Sequence, residues 1–101
     1  MPARTPLSDK AIDAALPAGW RRQSDADGNR IEWERQFESF REAFAFLTRV
    51  AFEAEGMDHH PEIWNVYDRV RLALSTHDAG NRVTETDLVL AERINDLGRR
   101  P

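Results

Sequence analysis

The sequence of 101 residues contains no cysteine. That removes disulfides, thiolate metal sites and cysteine nucleophiles, and it suits a reducing cytoplasm, the location expected here. No strictly apolar run exceeds a few residues, so no membrane span is expected. The opening MPARTPLSDK has no apolar stretch after its positive charge, so no secretory signal is read there. The five glycines are dispersed, and none forms a phosphate-cradling loop. Positive charge is in deficit: 14 Lys+Arg stand against 18 Asp+Glu, a net charge of −4 that leaves no electrostatic footprint for nucleic acid. What is present, 41% hydrophobic and 32% charged residues, is the composition of a folded globular chain. Its length allows one domain with one modest core. Residues 1–7 and 99–101 read as mobile tails.

Local patterns predict helix, hairpin, helix, hairpin, helix. Ser8 caps a helix over 9–16, with Leu7 and Ile12 at the positions of a hydrophobic staple and Pro17 and Gly19 beyond its end. Strands follow over 20–24 and 30–37 around an Asp-Ala-Asp-Gly-Asn loop. In the second, Ile31, Trp33 and Phe37 share a face, which Arg35 interrupts. Ser39 and Glu42 form a capping box for a helix to about Glu55, ended by Gly56. Its apolar stripe reads as Phe40, Ala43, Phe44, Leu47, Val50, Ala51 and Ala54, with Phe46 at the edge and Phe52 on the far side. A helix apolar on more than one side calls for a second partner surface, although single exposed phenylalanines are also ordinary. Strands over 63–67 and 70–77 turn at Asp68-Arg69, and Val70, Leu72, Leu74 and Thr76 share one face. Thr84 to Asp87 caps a last helix that buries Leu90, Ala91, Ile94 and Leu97, with Gly98 as its C-cap. Short links make the sheet antiparallel, and one-sided strands put the helices on one face. The expected fold is α+β: two layers, a four-stranded antiparallel sheet and three helices on one side.

The three histidines fall at two junctions, His59-His60 after the long helix and His77 at a strand end. Histidine gives and takes protons near neutral pH. The same residues also fit a plainer reading, with imidazoles capping loop backbone and an exposed strand-end residue. A metal site has little support, because vicinal histidines rarely converge on one ion and no HExxH or His-x-Asp pattern occurs. Glu55 and Asp58 adjoin the vicinal pair, but no glycosidase carboxylate pair and no nucleophile elbow are present.

Asp58-His59-His60-Pro61, then Trp64-Asn65-Val66-Tyr67, then Ser75-Thr76-His77-Asp78-Ala79-Gly80 resembles the signature of the pterin-4a-carbinolamine dehydratases. Arg35, Phe37 and Phe40 ahead of the long helix, and the Thr84, Glu85, Asp87 cap, extend the likeness over about residues 8–98. Asn81-Arg82 stand where the family has a single residue. The resemblance implies a hydro-lyase that dehydrates 4a-hydroxytetrahydrobiopterin to quinonoid dihydrobiopterin, recycling the pterin used by an aromatic amino-acid hydroxylase. It implies no metal and no organic cofactor, catalytic histidines at His59, His60 and His77, and substrate contacts from Glu55, Asp58, Pro61, Ser75, Thr76 and Asp87. It also implies a homodimer or homotetramer. Relatives on this fold that serve as dimerisation cofactors of a transcription factor, or as enzyme assembly factors, supply the non-enzymatic alternative.

Overall fold

Both hairpins form, and they join along their inner strands. In a computed structural model that describes residues 2–99, the order is α1 (Asp9–Ala15), β1 (Arg21–Asp25), β2 (Gly28–Gln36), α2 (Phe40–Met57), β3 (Glu62–Val66), β4 (Arg69–Leu74), a 3-10 turn (His77–Ala79) and α3 (Glu85–Arg99). The strands lie in the order β1-β2-β4-β3, each neighbour antiparallel. Ile31, Val70, Leu72 and Leu74 point to the helices and meet Ile12, Val50, Leu90 and Ile94. All are buried to within 1% exposure, worth about 1.5–3 kcal/mol for each side chain removed from water. Arg30, Glu32 and Arg71 stand on the other face, which no helix covers. The expected two-layer α+β fold is the one observed. No helix of the described residues is long and apolar enough to cross a membrane.

Several local expectations change. Residues 2–7 are tied down: Leu7 N–H donates to Val83 O, and Thr86 N–H donates to Ala3 O. Arg99, expected in the C-terminal tail, lies instead inside α3, while Met1, Arg100 and Pro101 lie outside the described residues. The buried face of α2 is rotated. Phe46 is 3% exposed, whereas Phe40 and Phe44 are about half exposed. The cause is an aromatic row from the sheet, Trp20–Trp33–Phe46–Phe37, with centroids 6.1, 5.5 and 5.1 Å apart, which draws Phe46 inward. Gly56 lies inside α2, and Asp58, at φ 49°, ψ 47°, makes the left-handed cap instead. Gly98 lies inside α3, where a Cβ would stand 3.1 Å from an Arg35 guanidinium nitrogen; the missing side chain lets Arg35 lie between Phe37 and the helix. The second hairpin turns at Tyr67-Asp68, one residue early, its carbonyls held by the Asn65 amide.

Two glycine substitutions give opposite expected outcomes. A Cβ at Gly28 (φ 145°) would sit 2.1 Å from the Asn81 carbonyl oxygen, where β2 meets the loop after β4. Gly28→Ala is expected to cost about 2 kcal/mol or more in urea unfolding, because both the backbone angle and the contact must give. At Gly56 nothing lies within 4 Å of an added Cβ, and the backbone is helical. Gly56→Ala is expected to stabilise by about 0.4–1 kcal/mol, seen as a Tm higher by a few degrees. An unchanged or lower Tm would contradict the assignment of Gly56 to an unobstructed helical turn.

Candidate active site

The vicinal histidines follow directly from the end of α2. Its last carbonyls are partly satisfied by the left-handed Asp58, whose N–H reaches Ala54 O and Glu55 O, and by His59 N–H on Ala54 O at 3.0 Å. This reversal turns His59 inward and leaves His60 outside. Strand β3 then pairs with β4 from Glu62↔Ala73, which brings the His60-Pro61 step alongside the Leu74-Ser75 end of β4. Beyond that end, Thr76 points into the core and His77 opens the 3-10 turn rather than ending a strand. The two histidine junctions therefore meet at one end of the sheet.

His59 is 5% exposed, and its Nε2 lies 2.5 Å from Asp87 Oδ1. Asp87 is fully buried in the first turn of α3. Its Oδ2 accepts from the Thr76 hydroxyl at 2.8 Å and from Thr84 N–H at 2.9 Å. The second bond is one arm of a capping box. The Thr76 hydroxyl proton is spent on Asp87, so at 2.8 Å the Thr84 hydroxyl donates to Thr76. With donors converging on the carboxylate, the ring proton of His59 is assigned to Nε2. Among the described residues Nδ1 has no hydrogen-bond partner, and the ring keeps 5% of its surface exposed. An imidazole oriented in this way by a buried aspartate can act as a base.

The other groups are wetter. His60 Nε2 meets Glu55 Oε1 at 2.6 Å, with both side chains more than half exposed. This pair sets a ring orientation but adds little stability, because exposed ion pairs are typically worth about 0–1 kcal/mol. His77 is exposed, its Nδ1 3.0 Å from Asn81 Oδ1. Ser75 Oγ donates to Asn29 O, and Pro61 is half-buried beside it in the chain reversal. Asp58 leaves its carboxylate at the surface. The expected site residues gather at one end, with two changes of role. Thr76, expected to contact substrate, is 1% exposed with its hydroxyl taken by Asp87 and Thr84, so it supports Asp87 from the core. Asp87 has both oxygens occupied by protein and no exposed surface, so it orients His59 instead of touching a ligand.

Two partners escaped the sequence reading. Asn81, at φ 60°, holds His77 and accepts Asn29 N–H at 3.0 Å. Its position beside a turn glycine was the available signal. Arg4 reaches Met57 O and Asp58 O, and nothing in the local sequence pointed to it. The described residues contain no cluster of three or more metal-ligating side chains. A cleft of about 300 Å³ lies on the open sheet face, lined by Arg30, Glu62, Trp64 and Arg71 among others; the imidazoles stand outside it.

Residues 5–97 match the pterin 4 alpha carbinolamine dehydratase family. A protein of Opitutus terrae, provisionally named pterin-4-alpha-carbinolamine dehydratase, is 51% identical over 79 residues, covering 78% of this chain and 77% of its own. One of Mesorhizobium japonicum with the same provisional name is 49% identical over 92 residues, covering 91% and 93%. The crystal structure of a transcriptional coactivator/pterin dehydratase from Brucella melitensis superposes with a TM-score of 0.83 at 34% identity, over 92% of this chain and 98% of that one. A pterin dehydratase-like protein identified as a RuBisCO assembly factor in the alpha-carboxysome shares the fold, at a TM-score of 0.67 and 24% identity over 82% and 93%. Sequence and architecture agree: this chain belongs to the pterin 4 alpha carbinolamine dehydratase family.

Proposed function

We propose that the protein dehydrates a 4a-hydroxytetrahydropterin, 4a-hydroxytetrahydrobiopterin or a close analogue, to the quinonoid dihydropterin and water. The observation that carries this reading is His59 held by buried Asp87 with Nδ1 free, next to an exposed imidazole paired with Glu55. The reaction removes the proton from nitrogen 5 and the hydroxyl from carbon 4a, and a carbon 4a–nitrogen 5 double bond forms. His60 is the acid that protonates the departing hydroxyl. His59 Nδ1 accepts the nitrogen proton, and His77 serves as a further proton carrier on the facing side. Positioned proton transfer of this kind is typically worth about 10²–10⁴-fold. Glu55 orients His60, Asp87 orients His59, and the exposed Asp58 carboxylate suits the donor edge of an aminopyrimidine. The half-buried Pro61 and Ser75 shape the floor of the site, and Thr76 supports it from within the core through Asp87. No step needs a metal or an organic cofactor, since no electrons change hands.

In a hydroxylase reaction that accumulates the 4a-hydroxy intermediate, added protein is expected to speed the loss of its absorbance. No change in that rate at micromolar protein would overturn the reading. Such an activity would couple the protein to an aromatic amino-acid hydroxylase and place it in the cytoplasm. A binding role is the second reading, favoured by Phe52 at 75% and Tyr67 at 66% exposure. Phe52 lies on the outer side of α2 and Tyr67 in the turn that follows edge strand β3, surfaces through which a homodimer or homotetramer can form. A molar mass of one chain by light scattering would remove the self-assembly part of this proposal.

A further inference from the structure

The residues that fix His59 and Asp87 are joined behind the site by a segment from the far end of the chain. Ala3 O accepts the N–H of Thr86 at 3.2 Å and its hydroxyl at 3.0 Å. Thr86 immediately precedes Asp87, and its N–H is one of the four that α3 cannot bond internally. The next residue, Arg4, donates from one guanidinium nitrogen to Met57 O at 3.3 Å and to Asp58 O at 3.1 Å. Asp58 immediately precedes His59. Two consecutive residues therefore bridge the N-terminus of α3 to the C-terminus of α2, one residue away from each member of the His59–Asp87 pair. The Arg4 charge also sits where the α2 dipole is negative and where carbonyls lack helical partners.

We infer that residues 3 and 4 are a clamp that sets the His59–Asp87 contact, with Arg4 as a positioning residue for the dehydration site. The inference rests on the function proposed above for its catalytic consequence, but not for its structural one. Hydrogen bonds, not packing, do the holding. A cavity of about 200 Å³ lined by Pro2, Arg4, Gly56, Met57, Thr86 and Arg93 lies beside the segment, so it has room to lift away. Asp58 is a non-glycine residue in the left-handed region, a conformation that persists only where neighbours enforce it, and the Arg4 bond to its carbonyl is such an enforcement.

The test uses the full chain carrying Arg4→Ala or Arg4→Lys. Amide exchange at Asp58 and His59, whose N–H groups bond to the last turn of α2, is expected to quicken about tenfold in Arg4→Ala while the core stays protected. In the dehydration assay kcat is expected to fall about tenfold with KM within about twofold, because misplacement of a catalytic group lowers turnover more than binding. Arg4→Lys restores part of both, since an ammonium can reach one carbonyl. Unchanged exchange overturns the clamp, as does faster exchange with unchanged kcat. If the unmodified protein shows no dehydration at all, the functional reading fails, and faster exchange with an altered His59 ring N–H resonance still supports the clamp.

Discussion

Asp87→Ala is expected to lose about 3–5 kcal/mol of stability and most activity together. The carboxylate receives His59 Nε2–H, the Thr76 hydroxyl and Thr84 N–H inside a region with no water access. Removing it leaves those donors buried and unpaired, the situation in which breaking a buried polar contact is most costly. For a chain of this length the loss amounts to roughly 15 °C or more in Tm. Asp87→Asn separates the two effects. The amide keeps the volume, and its oxygen in the place of Oδ2 can still accept from the Thr76 hydroxyl and Thr84 N–H, so it should cost less stability. However, its NH2 then faces His59 Nε2, and it can turn His59 to the other tautomer. Turnover should then fall by about 10²–10⁴-fold. A well-folded Asp87→Asn protein with full turnover would separate His59 orientation from catalysis.

His60→Ala is expected to do the opposite: a loss of about 10²–10⁴-fold in kcat at nearly unchanged stability. His60 is bound only through an exposed pair with Glu55, so the fold hardly depends on it. Paired measurement of kcat and urea midpoint distinguishes the buried Asp87–His59 pair from His60. Full retained activity in this variant would remove the role given to His60 as acid for the leaving hydroxyl.

The contrast between these residues also shows what could be read along the chain. Alternation at Val70, Leu72, Leu74 and Thr76 gave the buried face of β4 correctly, because a period of two leaves only one face for the core, but the strand ends at Leu74 and not at His77. The helical stripe of α2 was less determinate. Phe40, Phe44 and Phe46 all lie near its border, and the choice falls to the aromatic row of Trp33 and Phe37, which belongs to another element. Ser39 and Glu42 announced the start of α2, but its end depended on Asp58 adopting a left-handed turn that glycine usually supplies. In the site, the histidines stood out by type and clustering. The role of Asp87 did not, since its local pattern is that of a helix cap and its partner lies 28 positions away. The Arg4 contacts span 53 and 54 positions and leave no periodic trace.

In the proposed reaction His59, His60 and His77, from two separate junctions, serve one flat heterocycle. A crystal structure with a bound dihydropterin tests it most directly. The ring is expected at the end of β4, with nitrogen 5 and the hydroxyl-bearing carbon 4a each within about 3.5 Å of an imidazole nitrogen, the separation of a reactive pose. A pterin seated on the open sheet face beside Trp64 and Arg71, with all three imidazoles out of reach, would contradict it.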